Sequence, residues 1–262
     1  MDNLYEKTER ASLPIFCIRS LRPIWRGCML LCMLITALIP PVAESRETGD
    51  ILFHDDFMSL EQWKPLIFPK IKAHTVYSIV GDGDNFYLKA ESNASASAIV
   101  YKDAFDASQY QKVRWRWKIE HVYKKGNAEE KSGDDYPIRG YITFQYDPDD
   151  KAAFGERLAY GIAKAFYGEY PPHSSLNYIW SNKSQAHTIM NSPYTDRAQM
   201  IILQSGNEKA GQWVTEEINI LKDYKKAFGK NPPAAASIAI MNDSDDTGER
   251  AVSYIDFIEV SR

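Results

Sequence analysis

The sequence predicts a mainly β protein: an antiparallel jelly-roll β-sandwich with one or two short peripheral helices. Apolar and polar residues alternate with a period of two through most of the chain after residue 50, as in half-buried strands. Turn-forming residues recur about every ten positions, without the alternating helices of parallel βαβ units. No linker or low-complexity tract interrupts this pattern, so we expect one domain over about residues 48–262.

The clearest strand is 113–119, in which apolar residues at odd positions alternate with basic residues at even ones. The segment 139–146 alternates in the same way, with Ile142, Phe144 and Tyr146 predicted to face the core. We predict that these two strands are neighbours and share one polar face. The other predicted strands are 51–57, 75–80, 86–92, 96–101, 176–180, 198–204, 213–219, 235–241 and 252–260.

Two segments have the spacing of helices. Apolar residues recur every four positions over 152–166, after two aspartates suited to capping. A shorter helix is predicted over 221–228, ending at Gly229. Between two predicted strands, the segment 82–85 has the composition of a tight hairpin turn.

Residues 1–45 are predicted to be a secretory signal peptide. An apolar stretch over 28–39 follows Arg19, Arg22 and Arg26, which is the charge-then-apolar order of such leaders. The stretch is shorter than a comfortable bilayer span. The alternative is an uncleaved N-terminal anchor, which would be the only membrane contact we expect. The mature domain is accordingly predicted to be exported, either periplasmic or extracellular.

Composition excludes several classes of function. The chain has 31 basic and 35 acidic residues, too balanced to attract nucleic acid. Its three cysteines, Cys17, Cys28 and Cys32, lie in the predicted leader, which leaves the mature domain without disulfides, thiolate zinc sites or a cysteine nucleophile. The five histidines lack zinc-ligand spacing, and no G-x-S-x-G motif suggests a serine triad.

Two acidic segments, 133–139 and 242–248, are the main candidates for a binding site. In the second, Asp243 and Asp245 match the first and third positions of a helix-loop-helix calcium loop, but Tyr254 stands where that loop requires glutamate. A looser calcium site at Asp243 and Asp245 stays open, because clustered carboxylates repel one another unless a cation or solvent screens them. Solvated turns are the alternative. If the fold brings both segments to one rim, they form a cation or polyol site.

Arg139, Tyr141 and Asp135 are predicted to contact a ligand where the strand begins. The planar guanidinium matches carboxylates or vicinal hydroxyls, and an internal ion pair is the alternative for Arg139. If the basic face of strand 113–119 is also concave, it suits an acidic glycan, although an ordinary solvated face explains it equally well.

Trp180 and Tyr194 are the predicted aromatic platforms, because exposed rings stack on the apolar faces of sugars; burial in the core is the alternative for Trp180. Trp63, Trp115, Trp117 and Trp213 are predicted to fill the core.

Five ordered motifs, at 133–139, 178–180, 192–195, 223–229 and 241–248, together resemble the exported bacterial family catalogued as domain of unknown function 3047. The resemblance covers nearly all of the mature chain and implies its fold and export, but no activity. The opening over 53–63 is also weakly similar to the lectin-like sandwiches of glycan-binding and glycan-cleaving proteins, which is a likeness of fold only.

The leading hypothesis is a non-catalytic domain that binds carbohydrate or another cell-envelope polymer. A glycan-active lyase or hydrolase in the same groove is the rival, and it predicts that Arg139, His187, Tyr194 and one carboxylate cluster together. A structural envelope protein without a small ligand is the third hypothesis.

Overall fold

The computed structural model describes residues 50–83, 85–147, 171–183 and 188–262. The predicted leader, the predicted helix over 152–166 and His187 lie outside these residues. Within them the chain forms one short 3-10 helix (Lys131–Gly133), one α-helix and a series of strands. The bounds are β1 (Ile51–Asp55), β2 (Trp63–Leu66), β3 (Val76–Asp82), β4 (Asn85–Asn93), β5 (Ala96–Tyr101), β6 (Phe105–Asp106), β7 (Lys112–Ile119), β8 (Arg139–Phe144), β9 (Ser174–Ser181), β10 (Ile189–Ser192), β11 (Thr195–Ser205), β12 (Val214–Asn219), α1 (Ile220–Phe228), β13 (Ala235–Asp243) and β14 (Arg250–Ser261).

The strands form two sheets. The six-stranded sheet has the order β12-β7-β14-β4-β3, with β1 also pairing to β14. The eight-stranded sheet has the order β10-β11-β9-β8-β13-β5-β2, with β6 also pairing to β13. The pairs are antiparallel except β9 with β11, which is parallel. This arrangement confirms the predicted mainly β, jelly-roll sandwich class.

All eleven predicted strands are present, with bounds that differ by a few residues. Sequence reasoning missed three, β2, β6 and β10, which have two to four residues each and are too short to show alternation. The turn between β3 and β4 is tight as predicted, because Asp82 pairs with Asn85 and Gly83 adopts a φ of 65°.

The helix α1 confirms the prediction over 221–228. The Asn219 side chain caps its start by accepting a hydrogen bond from the Lys222 N–H at 3.0 Å, and Gly229 ends it in the left-handed conformation. Ile220 and Tyr224 are the buried side of the helix. Among the residues described, no helix has the length and hydropathy to cross a bilayer.

The prediction that strands 113–119 (β7) and 139–146 (β8) are neighbours is wrong. β7 pairs with β12 and β14, whereas β8 pairs with β9 and β13, so the two strands belong to different sheets. Each presents its apolar residues to the space between the sheets, and the two polar faces therefore point away from each other. Alternation specifies which side of a strand is buried, but not which strand is its neighbour.

The core lies between the sheets and is rich in aromatic rings. Trp115 and Trp117 of β7 meet Tyr178 and Trp180 of β9, with ring centroids 5.6 Å and 5.9 Å apart. Burial of Ile142, Phe144 and Tyr146 confirms their predicted orientation, as does that of Trp63, Trp115 and Trp117.

Trp213 differs from its prediction, because it lies on the outer face of the six-stranded sheet. The Lys118 Nζ lies 4.7 Å from its ring centroid and 4.6 Å from that of Tyr254, and the Arg116 guanidinium lies 5.3 Å from the Trp213 ring. The basic side chains of β7 are thus covered by aromatic rings through cation–π contacts. They do not contribute to the polar face of β8.

Candidate functional site

The outer face of the eight-stranded sheet carries a groove of about 600 Å³. Tyr141 of β8 and Asn177 of β9 lie directly opposite each other in the sheet, and Thr143 is opposite Ser175 one step along. Residues that are partners across two strands project from the same face, so this register brings Tyr141, Asn177 and Ser175 to the groove. The floor therefore combines an aromatic ring with amide and hydroxyl groups.

The polar groups of the floor have hydrogen-bonding capacity left for a ligand. The Ser175 hydroxyl donates to the Asn177 Oδ1 at 2.8 Å, which orients the amide. The Asn177 Nδ2 donates to no residue that the structure describes, and Asn177 lines the groove. Among the described residues, the Tyr141 hydroxyl hydrogen-bonds only to the Met241 sulfur, at 3.5 Å, which is a weak acceptor.

An apolar wall is supplied by the segment after β2. Phe68 and Ile71 line the groove and pack with Tyr141 and Met241 against the sheet. Leu66 and Ile67, just before them, are 43% and 46% exposed. The sequence showed no signal for this wall, because the segment has neither alternation nor a recognisable motif.

Tyr194 is the exposed aromatic ring of the groove. It occupies the two-residue turn between β10 and β11, where Ser192 pairs with Thr195, and it is 54% exposed. Its hydroxyl donates to the Asp246 Oδ2 at 2.9 Å, and the Lys131 ammonium lies 5.2 Å from the ring centroid. Burial of the hydroxyl and its bond to Asp246 raise the pKa of Tyr194.

The structure brings the two acidic segments together at one end of the groove. The Arg139 Nε donates to the Asp243 Oδ1 at 3.0 Å, and its Nη2 pairs with the Asp243 Oδ2. The same guanidinium donates to the Asp134 carbonyl at 2.7 Å and lies 3.4 Å from the Asp134 Oδ2. The ring of Tyr136 covers it at 4.7 Å. These contacts engage all three nitrogens of Arg139, which is 5% exposed, and they favour the internal ion pair over direct contact between Arg139 and a ligand.

Asp135 anchors the second acidic segment, 242–248, through hydrogen bonds to its backbone. Its carboxylate accepts hydrogen bonds from the Thr247 N–H at 2.6 Å and the Asp246 N–H at 3.4 Å, and burial raises its pKa. The turn closes with a bond from the Gly248 N–H to the Ser244 carbonyl at 2.9 Å, with Gly248 at a φ of 68°. Asp135 is 2% exposed and so positions the rim without lining the groove.

Carboxylates outnumber cations at this end of the groove. Oxygens of Asp135, Asp243 and Asp245 lie within 4.8 Å of one another, which is compatible with shared ligation of a hard cation such as calcium. Asp134 is 5% exposed, and its Oδ1 accepts no hydrogen bond from the described residues. Burial and the charge of Asp246 raise the pKa of Asp245.

Of the residues predicted to form the site, Arg139, Tyr141, Tyr194, Asp243 and Asp245 line one groove. The prediction for Trp180 is wrong: it is fully buried in the core, and its Nε1 donates to the Gly206 carbonyl at 3.0 Å.

Asn177 and Ser175 were missed, although the sequence held the signal for them. β9 carries Leu176, Tyr178 and Trp180 on one side. Because the bulkier apolar side of a strand faces the core, the intervening polar residues must face outward.

A model of the family described as "Protein of unknown function (DUF3047)" matches residues 61–259, which confirms the family predicted from the five motifs. No curated protein is significantly similar to the chain. Solved structures with a similar shape include the family 11 carbohydrate-binding module of a cellulosomal cellulase of Clostridium thermocellum, at 12% identity and a TM-score of 0.41, covering 81% of this chain and 94% of that one.

Two others are similar at the same level. A family 30 carbohydrate-binding module of C. thermocellum gives 11% identity and a TM-score of 0.36, with 76% and 92% of the two chains covered. The K1 cleaved adhesin domain of Lys-gingipain from Porphyromonas gingivalis gives 11% identity and a TM-score of 0.35, with 80% of this chain and 96% of that one covered. At such low identity and TM-score, these likenesses say nothing about what this chain binds.

Proposed function

Since the chain belongs to the DUF3047 family of proteins of unknown function, the family supplies no activity, and we propose from the groove itself that the domain binds carbohydrate or a related cell-envelope polymer without cleaving it. The observation that carries the proposal is the exposed Tyr194 ring beside a floor of Tyr141 and Asn177 in one groove of about 600 Å³. Sugars present apolar C–H faces and hydroxyl edges, which aromatic rings and amides recognise respectively.

The dimensions and chemistry of the groove fit a short stretch of glycan. Small-ligand sites of about 300–1,000 Å³ are typically apolar with a few placed polar groups. Here Phe68, Ile71 and Met241 supply apolar contact, and Ser175 and Asn177 supply polar groups. The floor of the groove is carried by the paired strands β8, β9 and β13, so little conformational entropy of the floor is lost when a ligand binds.

The enzymatic alternative shares the groove. Of its predicted cluster, Arg139, Tyr194 and several carboxylates line the same groove, which supports this alternative, whereas His187 lies outside the described residues. Arg139 is held by Asp134 and Asp243, so its guanidinium is not available to stabilise a reacting carboxylate. Binding without cleavage is therefore the favoured function.

Two further parts of the proposal concern location and metal. If residues 1–45 act as a leader, the partner polymer belongs to the periplasm or the extracellular space. Calcium is proposed as a stabilising ion at Asp243 and Asp245, with Asp135 as a third ligand, because their oxygens lie within 4.8 Å of one another.

The test is a panel of soluble cell-envelope and plant polysaccharides in affinity gel electrophoresis, followed by titration calorimetry on oligosaccharides of the retarded polymers. The proposal predicts retardation by at least one polymer and no new reducing ends or unsaturated products after prolonged incubation. Product formation would establish the enzymatic alternative, and absence of both binding and products would favour the structural one.

A further inference from the structure

We infer that the groove selects N-acetylated sugars, and that the floor around Asn177 binds their acetamido group. This inference rests on the proposed function and adds the chemical class of the ligand. An acetamido group joins a carbonyl oxygen, which accepts hydrogen bonds, to an apolar methyl group. The groove offers a matching donor beside an apolar wall.

The donor is the side-chain amide of Asn177, which is 4% exposed and lines the groove. Its Oδ1 accepts a hydrogen bond from the Ser175 hydroxyl at 2.8 Å, which orients the amide, and its Nδ2 has no acceptor among the described residues. A ligand that covers this donor without accepting its hydrogen bond leaves it buried and unpaired, which is costly. The floor therefore favours a ligand with an acceptor at this point.

The Tyr141 hydroxyl is a second donor beside the amide. Tyr141 lies directly opposite Asn177 in the sheet, and its bond to the Met241 sulfur uses a weak acceptor. Burial raises the pKa of Tyr141, so its hydroxyl stays protonated at neutral pH. A carbonyl oxygen has two lone pairs and no proton, and it therefore suits a floor whose spare groups are donors.

The methyl group has an apolar surface next to these donors. Phe68, Ile71 and Met241 line the groove and belong to the same packed cluster as Tyr141. A hydroxyl placed against this wall loses its hydration without gaining a hydrogen bond, whereas a methyl group gains from burial there. The wall therefore favours an acetylated sugar over a sugar that carries a hydroxyl at the same position.

The charges of the groove disfavour an acidic glycan. Arg139 is held by Asp134 and Asp243, so its guanidinium is not available to a uronate. The carboxylates of Asp245 and Asp246 also line the groove and would repel a ligand of like charge. An acetamido group is neutral, and its recognition by the floor requires no free cation.

The test compares equally linked hexamers of N-acetylglucosamine, glucosamine and glucose, which differ only in one ring substituent. Affinities are measured by titration calorimetry at low and at high salt. We expect the acetylated hexamer to bind about five- to tenfold more tightly than the glucose hexamer. Because the contact joins neutral groups, this ratio should be the same at both salt concentrations. Any attraction of glucosamine to the carboxylates should weaken at high salt.

Variants locate the effect. Asn177→Leu keeps the approximate size of the side chain but removes the amide, and it should reduce the ratio of the two affinities to about one. Ile71→Ala removes part of the wall and should also reduce the ratio. Thr143→Val is the control, since Thr143 lies one residue pair along the sheet, opposite Ser175, and its substitution should leave the ratio unchanged.

Equal affinity for the acetylated and glucose hexamers, or tighter binding of either unacetylated hexamer, would overturn the inference while leaving the proposed function intact. Retardation by other polymers without binding of the acetylated hexamer would do the same. An alanine hexapeptide offers carbonyl and methyl groups without a sugar, and its tighter binding would also overturn the inference. Failure to bind any glycan would overturn both proposals. The comparison of hexamers on the unmodified protein decides the matter even if Asn177→Leu fails to fold.

Discussion

Arg139 and Asp243 form a buried ion pair that joins the beginning of β8 to the end of β13, with the Nε donating to the Oδ1 at 3.0 Å. Both side chains are at most 5% exposed. The pair connects residues about a hundred positions apart and sets one end of the groove.

Arg139→Gln should lower the free energy of unfolding by about 3–5 kcal/mol, because it leaves Asp243 buried without its partner. Urea unfolding followed by tryptophan fluorescence measures the change. Arg250→Gln is the matched control, since it breaks the exposed pair with Glu91 and should change stability little. Equal stability of the two variants would contradict the structural role of the buried pair.

Gly133→Ala should destabilise the domain by about 1–3 kcal/mol through steric overlap. A Cβ at Gly133 would lie 2.6 Å from the Asn127 backbone nitrogen, and this backbone approach is held by the bond from the Asn127 N–H to the Gly133 carbonyl at 2.7 Å. In Gly140→Ala the added Cβ meets no atom of the described residues within 4 Å, so that variant should be nearly neutral. Unfolding of both variants at the same urea concentration would contradict the close backbone approach between Gly133 and Asn127.

The stability of the domain should depend on Asp245 in a pH-dependent way. Burial raises the pKa values of Asp135 and Asp245 in the folded state, so the folded state binds their protons more tightly than the unfolded one. Their contribution to stability is therefore full below the unfolded pKa and is lost as the pH rises through the folded pKa.

Asp245→Asn removes one of these groups, so its advantage in stability over the unmodified protein should grow from acidic to neutral pH. The difference between the two melting curves, recorded in chelator from pH 4 to pH 8, reports Asp245 together with its electrostatic coupling to Asp135 and Asp246. A difference that stays constant with pH would show that Asp245 titrates alike in both states.

Millimolar calcium should raise the melting temperature relative to chelator if Asp135, Asp243 and Asp245 ligate it together. The shift should be modest, because Arg139 already neutralises Asp243 and competes with the ion. Binding at ten times the dissociation constant stabilises by about 1.4 kcal/mol. Asp245→Asn should abolish the shift, and an identical melting temperature with calcium and chelator would show that the ion pairs of Arg139 and the hydrogen bonds support the rim without a cation.

The sequence predicted the strands and their buried sides better than it predicted which strands pair. Alternation in β7 and β8 specified which residues are buried, because burial on one side is a local property of a strand. It could not specify that the two strands belong to different sheets, since pairing is decided by long-range contacts. The basic face of β7 was therefore associated with the wrong sheet.

The same distinction between local burial and long-range pairing explains which residues of the candidate site were predicted and which were missed. Trp180 was interpreted as a ligand platform although its side of β9 is the more apolar, and Asn177, on the opposite side, was overlooked. Whether segments 133–139 and 242–248 meet could not be predicted, because β8 and β13 are far apart in the sequence and become neighbours only in the sheet. The motifs themselves were sufficient to identify the family.

Glycan binding in the groove around Tyr194 is tested most directly by the affinity of Tyr194→Ala for the oligosaccharide that the unmodified protein binds best. We predict a loss of about 1–2 kcal/mol, or about tenfold, because a stacking ring is removed from an exposed turn. Phe86→Ala, which removes a ring that is 39% exposed on the other sheet, should bind as the unmodified protein does. Unchanged affinity of Tyr194→Ala, or an equal loss in Phe86→Ala, would contradict the assignment of this groove.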